Sequence, residues 1–526
     1  VDPSDLVNTS SPHWSLKKLS EAKPWQAWVE KYQARVKLEN VAEEVRRKRM
    51  LAVNPAYVPR NWMLHEAIAD AEKNDFEKKD NSGNTFKQSV GFYNAIKYGG
   101  YQFGFWADQL GDGRAHILGE YVNRKGKPWQ PQLKGSGETP YSRFGDGRAV
   151  LRSSIREMIA SEACHHLGIP TTRAAALVVS DDHKVWRDKS YMGHARQERA
   201  AIVARVAPAW YRIGSLEILL KRREPQLMTR LVDHVIQHYF PEIDSTDEDK
   251  YLKWFTEVAH RNLDLVAKWQ GVGFAHGVLN TDNVSLLGLT LDYGPYGFMD
   301  YYYPRMIPNT TDDLGRYCYK NQPEIMLWNL EKFAECVEPL LTDEQKETLK
   351  GIRGTLENYI KRKVLETFIH KLGLEEVKEG DDILVQDLLE VMQTATADYT
   401  ATFRQLAKVD PSELINTSSP HWSLNKLSEA KPWPAWVEKY QARVKLENVA
   451  EEVRRKRMLA VNPAYVPRNW ILQEAIADAE KNDFEKVRFL LKIFENPYEE
   501  NEEADNRGYS SLPPTWSYGL KINCSS

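Results

Sequence analysis

No stretch of this 526-residue chain approaches the run of about 18 apolar residues that a membrane-crossing helix requires, so membrane insertion is not expected. Cysteine is scarce. The four present (Cys164, Cys318, Cys336 and Cys524) have neither metal-ligand spacing nor the density of a disulfide scaffold, and a reducing compartment follows. An excess of either charge is also missing. Lys plus Arg (71) nearly balances Asp plus Glu (74), which leaves no global field to draw nucleic acid or an anionic membrane. Residues 1–30 contain Asp5, Glu21 and Glu30 and no apolar core, a pattern unlike a secretory signal or an acid-poor transit peptide. What remains is the composition of an ordinary globular protein, 42% hydrophobic and 28% charged, at a length that suggests roughly two to four domains.

The first feature present is a copy. Residues 1–78 recur at 409–486 with six differences: Asp5/Glu413, Val7/Ile415, Lys17/Asn425, Gln26/Pro434, Met63/Ile471 and His65/Gln473. Repeats that pack as structural units drift at surface positions while keeping their core pattern. Here surface and core are copied alike, the mark of a recent duplication or of a gene-model join. Both copies read as helical: "WVEKYQARVKLENVAEEVRRKRMLAVN" has apolar positions at helical spacing, and a turn at Asn-Pro leads into a second amphipathic helix. Residues 1–78 are expected to be dispensable.

Between the copies, residues 95–145 read as β-rich, with strands around an Asp-Gly turn at 112–113 and a strand ending near Lys134. A glycine-punctuated loop follows. The helix carrying "VLRSSIREMIASEACHH" is stopped by Gly168 and Pro170, and His165-His166 on it read as packed or exposed rather than metal-binding. Beyond about 215 the chain reads as helical, broken at 273–298, and the acidic "NPYEENEEADN" at 497–506 reads as a solvated loop.

The break at 273–298 carries chemistry. A protein-kinase catalytic loop runs His-Arg-Asp-Leu-x-x-x-Asn, its Asp taking the substrate proton and its Asn holding a metal ion. Laid over His276 to Asn283, the His, the Leu and the Asn fall in register, but the Asp has become Val278. Asp292-Tyr293-Gly294 then stands nine residues after Asn283, where a kinase carries Asp-Phe-Gly. Upstream, Lys134 ends a strand and Glu157 lies on the next helix, the kinase device for fixing an ammonium on phosphates. Each element alone has a plainer reading, a surface lysine or a tight turn. The conjunction of four in kinase order points to nucleotide chemistry, although no G-x-G-x-x-G loop is present to cover the phosphates.

The segments "QLGDGRA", "QLKGSGETPYSRFGDGRAVLRSSIRE", "HHLGIPTTRA", "ARVAPAWYRIG" and "HGVLNTDNVSLLGLTLDYGPYGF" together resemble selenoprotein O, the protein adenylyltransferase pseudokinase family, over roughly residues 95–526. The resemblance implies ATP bound in a flipped orientation and AMP transferred to protein Ser, Thr or Tyr hydroxyls, with Mg²⁺ or Mn²⁺ as the metal. It implies nucleotide contacts at Gly111, Gly113, Arg114, Lys134, Asp146, Gly147, Arg205 and Arg212, and metal binding by Asn283 and Asp292. It further implies a Lys134–Glu157 pair and Asp282 as the proton acceptor. Two departures stand out. The copy 1–78 occupies the place of the family's own segment ahead of Gly99-Gly100-Tyr101-Gln102-Phe103-Gly104. Cys524 matches a family tail position that carries selenocysteine or cysteine, whereas Pro308 stands where bacterial members often have a partner cysteine. Eukaryotic members are mitochondrial and bacterial ones cytoplasmic, and the resemblance extends to that expectation.

The expected fold is α+β, a protein-kinase-like bilobal frame with a mainly helical C-terminal extension. Its divisions are 1–78, the copy; 79–215, a small β-rich nucleotide-binding lobe with a helix like the kinase αC; 216–400, a helical large lobe with the catalytic and metal loops; and 401–526, the extension with its cysteine-containing tail. The expected partners are ATP and hydroxyl-bearing proteins, without nucleic acid. Two alternatives stay open: a kinase using Asp282 as base, and a catalytically silent nucleotide-binding scaffold. Arg205 and Arg212, outside the usual kinase phosphate set, favour AMP transfer over the former; the intact set of four argues against the latter.

Overall fold

The computed structural model describes residues 95–123, 126–188, 195–415, 421–520 and 522, together with Glu30. Chain contacts divide the molecule into Val1–Ala67 and Ile68–Ser526. All elements named here belong to the second unit, so the first copy, Glu30 apart, and Cys524 lie outside the described residues.

Four short strands open this unit: β1 (Lys97–Tyr98), β2 (Tyr101–Gln102), β3 (Phe105–Trp106) and β4 (Leu110–Gly111), paired antiparallel as β1 with β4 and β2 with β3. Six more build the main sheet: β5 (Ala115–Ile117), β6 (Tyr121–Val122), β7 (Pro128–Lys134), β8 (Ala149–Val150), β9 (Arg173–Arg187) and β10 (Arg196–Ala207). The order is β5-β7-β10-β8, with β6 beside β7 and β9 beside β10, and every pairing is antiparallel. The 112–113 turn does separate two strands, but β4 and β5 do not pair with each other. The Asp112 carboxylate is drawn inward, accepting from Ile96 N at 3.1 Å and Gln132 Nε2 at 3.2 Å, and this steers the chain from one sheet to the next.

The helix α1 (Leu151–His166) packs on β9 and β10 through Leu151, Ile155 and Ile159, which recur every four residues and are fully buried. It ends as the sequence indicates: Gly168 takes φ +75, where a side chain would be strained. Then come α2 (Ile213–Lys221), α3 (Pro225–Tyr239), α4 (Lys250–Val272), α5 (Gln322–Val337) and α6 (Asp343–Lys371). The chain closes with α7 (Asp381–Thr394), α8 (Tyr399–Leu406), α9 (Trp422–Ser428), α10 (Trp433–Glu447), α11 (Glu451–Val461), α12 (Asn469–Ala479), α13 (Glu485–Phe494) and α14 (Glu502–Asn506). One core joins α1 to α4 and α5 around Trp254, Phe255 and Phe333; a second gathers Tyr399, Phe403, Trp433, Trp436 and Tyr440.

The continuous helix expected over 436–462 is two helices. Asn448 adopts the left-handed conformation (φ 50, ψ 41), which ends α10 before α11 begins. The acidic stretch 497–506 is also more ordered than a solvated loop, because Asn501 caps α14 by accepting from Ala504 N at 3.0 Å.

The segment expected to interrupt the helices is framed by a two-residue ladder, β11 (Phe274–Ala275) with β12 (Gly297–Phe298). It follows directly on Gly273, the left-handed C-cap of α4. A buried loop must have its backbone groups satisfied, and here buried amides from the helices do so. Gln322 accepts from His276 N and donates to Phe274 O, both at 2.9 Å; Asn329 donates to Leu279 O at 3.0 Å and Asn262 to Ser285 O at 2.9 Å.

Candidate active site

The sheet, the loop 276–292 and the start of α2 enclose a cavity of about 370 Å³. Seven cations line it (Arg114, Lys134, Arg143, Arg148, Arg187, Arg205 and Arg212) against four carboxylates (Asp112, Asp146, Asp282 and Asp292). Such an excess of positive charge in a concave site is suited to a polyanion such as a triphosphate. Every residue expected to touch nucleotide or metal lines this cavity: Gly111, Gly113, Arg114, Lys134, Asp146, Gly147, Arg205, Arg212, Asn283 and Asp292, with Asp282 among them. Glu157 lies behind. It lines an adjoining recess of about 90 Å³ that shares Arg114, Lys134, Val278, Asn283 and Asp292 with the main cavity.

Lys134, the last residue of β7, is held 2.8 Å from Glu157 on α1 and also contacts Asp292. Arg205, on β10 beside β7, reaches the other Glu157 oxygen at 2.7 Å, Asp292 at 3.3 Å and Gln132 at 2.7 Å. Burial alone would raise the Asp292 carboxyl, but Lys134 and then Arg205 overcome it and hold the group well below the usual carboxylate range. Arg212 lies over the Tyr98 ring at 4.2 Å, meets Asp112 at 3.5 Å and donates to Asp282 O at 3.1 Å. It thereby ties β4's turn to the loop bearing Asp282 and Asn283.

The Asp282 side chain is buried, with Oδ2 accepting from Gln102 at 3.4 Å and Oδ1 without a protein partner. Burial pushes its pKa up to about 6, against the pull of Arg212 and Gln102. Such a group is ionised at neutral pH yet basic enough to accept a proton. Val278, in the place of the kinase Asp, contributes only an apolar wall. His276 is buried and lowered to about 4 by burial, and so serves as a neutral packing group.

Two glycine-rich segments form one wall. Thr139 Oγ1 donates to Asp112 O at 2.7 Å and Ser142 Oγ to Gly113 O at 2.5 Å, which pins the loop after β7 onto the turn after β4. Gly137 N donates to Gly147 O at 3.1 Å, and Arg187 on β9 clamps Asp146 with two bonds of 2.7 Å.

For a cation the cavity offers hard oxygen donors. Asn283 Nδ2 donates to Val278 O at 2.9 Å, which leaves its carbonyl oxygen for a metal, and Asp292 supplies a carboxylate. Among the described residues no group of three or more His, Cys, Asp or Glu could hold a metal ion. One or two protein oxygens completed by phosphate and water is the pattern of Mg²⁺ rather than of a protein cage, so the donor set fits the ion expected.

Residues 78–495 match the family described as protein adenylyltransferase SelO. Over 427 residues the chain is 42% identical to the protein nucleotidyltransferase YdiU of Xanthomonas campestris pv. campestris (strain B100), a match covering 80% of this chain and 82% of that relative. The chain belongs to the SelO family. It is accordingly an enzyme, a nucleotidyltransferase, as the sequence reading expects.

In this SelO-family chain several groups at the site escape a reading by local pattern. Gln132, Asp112 and Arg187 orient Arg205, Arg212 and Asp146, and Gln102 reaches Asp282 across 180 residues of sequence. Gln132 carries a local signal, since it lies two residues before Lys134 on the same strand and therefore on the same face, and Asp112 carries one as part of the Asp-Gly turn. Among the described residues, Cys164, Cys318 and Cys336 are buried free thiols, the His165 and His166 rings contact each other edge-on, and no helix is long and apolar enough to cross a membrane.

Proposed function

We propose that this chain transfers AMP from ATP to Ser, Thr or Tyr hydroxyls of proteins, on a protein-kinase-like frame, with the nucleotide's terminal phosphates directed inward. An acceptor oxygen bonds to the α-phosphorus, the bond to the β-phosphate oxygen breaks, pyrophosphate leaves and the hydroxyl proton passes to Asp282. The observation that carries this reading is the buried Asp282 carboxylate, with one oxygen unpartnered, on a cavity where Val278 occupies the place of the kinase base. The inner recess supports the inward direction, since it adds space of a size for a phosphate group beyond the main cavity, with Arg114, Lys134 and Arg152 on its lining.

In this reading Arg114, Lys134, Arg205 and Arg212 neutralise the phosphates, while Gly111, Gly113, Asp146 and Gly147 shape the wall against the nucleotide. Glu157 fixes Lys134. Asn283 and Asp292 would hold Mg²⁺ or Mn²⁺, which supplies charge neutralisation on the phosphates when bound. Preorganised charge of this kind is worth about 3 kcal/mol per group, or roughly a hundredfold in rate.

ATP labelled at the α-phosphate should therefore label an acceptor protein or the enzyme itself, and γ-labelled ATP should not. Lys134→Met or Asp282→Ala should cut α-label incorporation by about a hundredfold. Transfer of γ-label alone would assign a kinase, and tight ATP binding with neither label transferred would assign a scaffold.

A further inference from the structure

The strands β2 and β3 form a hairpin that stands at the mouth of the cavity. Its two-residue tip, Phe103-Gly104, has φ 52 and φ 89, the mirror-image turn that matches strand twist. An aromatic residue in the left-handed region is strained and persists only when its surroundings over-determine it. They do so here. Phe103 N lies 2.8 Å from Tyr317 OH and 3.2 Å from Asn280 Oδ1, and Tyr101 N donates to Thr281 Oγ1 at 2.8 Å. The hairpin is thus nailed to the loop that bears Asp282.

Its two faces differ. Tyr101 lies opposite Trp106, and these rings meet at 5.3 Å, with Trp328 at 5.6 Å from Tyr101. Gln102 lies opposite Phe105, so the two share the other face. Gln102 bonds Asp282, whereas Phe105 is 79% exposed. Beyond the tip lie a guanidinium and further exposed apolar residues. Gly104 packs against Arg316, two residues from Leu314, which is 97% exposed, and the intervening Gly315 packs against the exposed Ile307.

We propose that Phe105, with Phe103 and Leu314, is the docking surface for the acceptor protein, and that it takes an extended hydroxyl-bearing segment with a large apolar side chain beside the hydroxyl. The proposal rests on the AMP-transfer reading above. A hydroxyl brought to Asp282 places the neighbouring residues of an extended segment about 3.3 Å apart per residue along the mouth, over the face that Gln102 and Phe105 share. Water or a small-molecule acceptor would gain nothing from a ring at that position, whereas a polypeptide buries it.

The test uses the full chain, β-casein as acceptor, and the substitutions Phe105→Ser, Leu314→Ser and Phe105→Leu. With α-labelled ATP, the serine variants should raise the KM for casein about tenfold and leave kcat and the KM for ATP within twofold. Phe105→Leu should restore most of the loss. Fluorescent casein binding in the presence of a non-hydrolysable ATP analogue should weaken in parallel, while binding of the analogue is unchanged. An unchanged casein KM and Kd in both serine variants would overturn the proposal, as would a parallel loss of ATP affinity. Self-association abolished by Phe105→Ser would assign the surface to a second copy instead. If the unaltered enzyme transfers no α-label, the AMP-transfer reading fails. The binding arm still judges the surface.

Discussion

Arg205 Nη1 lies 2.7 Å from Glu157 Oε1, on the carboxylate whose other oxygen is 2.8 Å from Lys134. One acid on α1 therefore anchors two cations from adjacent strands, and the expected Lys134–Glu157 pair is here a triad. A charge removed from such a buried cluster leaves its partners uncompensated, at a cost of about 3–5 kcal/mol.

Arg205→Ala should accordingly lower unfolding stability by about that amount and weaken ATP binding. Arg205→Lys should recover only part of it, because one ammonium cannot span Glu157, Asp292 and Gln132 together. Urea unfolding and ATP titration of the two variants check this. Equal stability of Arg205→Ala and the parent chain would show that Lys134 alone suffices for Glu157.

A pH dependence follows from Glu217, on α2 behind the loop. Its Oε2 accepts from Thr281 Oγ1 at 2.6 Å and its Oε1 has no protein partner. Burial pushes its pKa up to about 7; Asp282 and Glu335 add to the rise, while the Thr281 hydroxyl bond and Lys221 oppose it. A carboxyl raised on folding contributes stability that is full below its unfolded value near 4.5 and is lost as pH climbs through about 7. The loss is about 3 kcal/mol. Glu217→Gln keeps an acceptor for Thr281 and removes the ionisation. It should unfold at a higher temperature than the parent at pH 8 and at a similar one at pH 4.5. A pH-independent difference would contradict this account.

How much of this was legible in the sequence depends on the range over which each cause acts. The strand ending at Lys134, the helix from Leu151 and the stop at Gly168 rest on local patterning, and they stand where it indicates. The long pair β9 and β10 does not stand out in the sequence, because β9 mixes small residues with the polar run Ser180-Asp181-Asp182-His183-Lys184 and shows no clean alternation. Asn448 is one residue in the left-handed region, and nothing in the helical periodicity around it marks the break. At the site, Lys134, Glu157, Asn283 and Asp292 stand out in the sequence by order and spacing. The groups packed around them do not: Arg187 acts on Asp146 across 41 residues and Glu217 on Thr281 across 64, contacts that only the folded chain creates.

The two glycines of Gly145-Asp146-Gly147 should respond differently to substitution. Gly147 has φ +66, and a methyl group there would lie 2.1 Å from the Gly137 carbonyl, a backbone collision that cannot be relieved by a rotamer change. Gly145 has an ordinary φ, and its added carbon would meet only Ser142 O at 3.2 Å. Gly147→Ala should therefore abolish ATP binding by displacing the loop that holds Asp146, while Gly145→Ala should bind within a fewfold of the parent. Calorimetric titration with ATP decides, and similar affinities in the two variants would show that the loop is not part of the binding wall.

The last prediction concerns the copy. Trp28 and Trp436 occupy equivalent positions in near-identical sequences. Trp436 is fully buried, stacks between Trp433 and Tyr440 at 5.0 Å from each, and donates to Leu384 O at 3.0 Å. Removing a buried tryptophan costs about 3–5 kcal/mol. That groove, built by α7 and its neighbours, is filled by residues 433–440 and cannot hold the same segment twice. Trp436→Ala should thus destabilise the enzyme by several kcal/mol and depress α-label transfer, whereas Trp28→Ala should leave the main unfolding transition in place. A chain beginning at Lys79 should likewise retain transfer activity. Unfolding curves and α-label incorporation on the three proteins check the set. A large loss of activity on removing residues 1–78 would mean that the first copy has acquired contacts of its own that the enzyme needs.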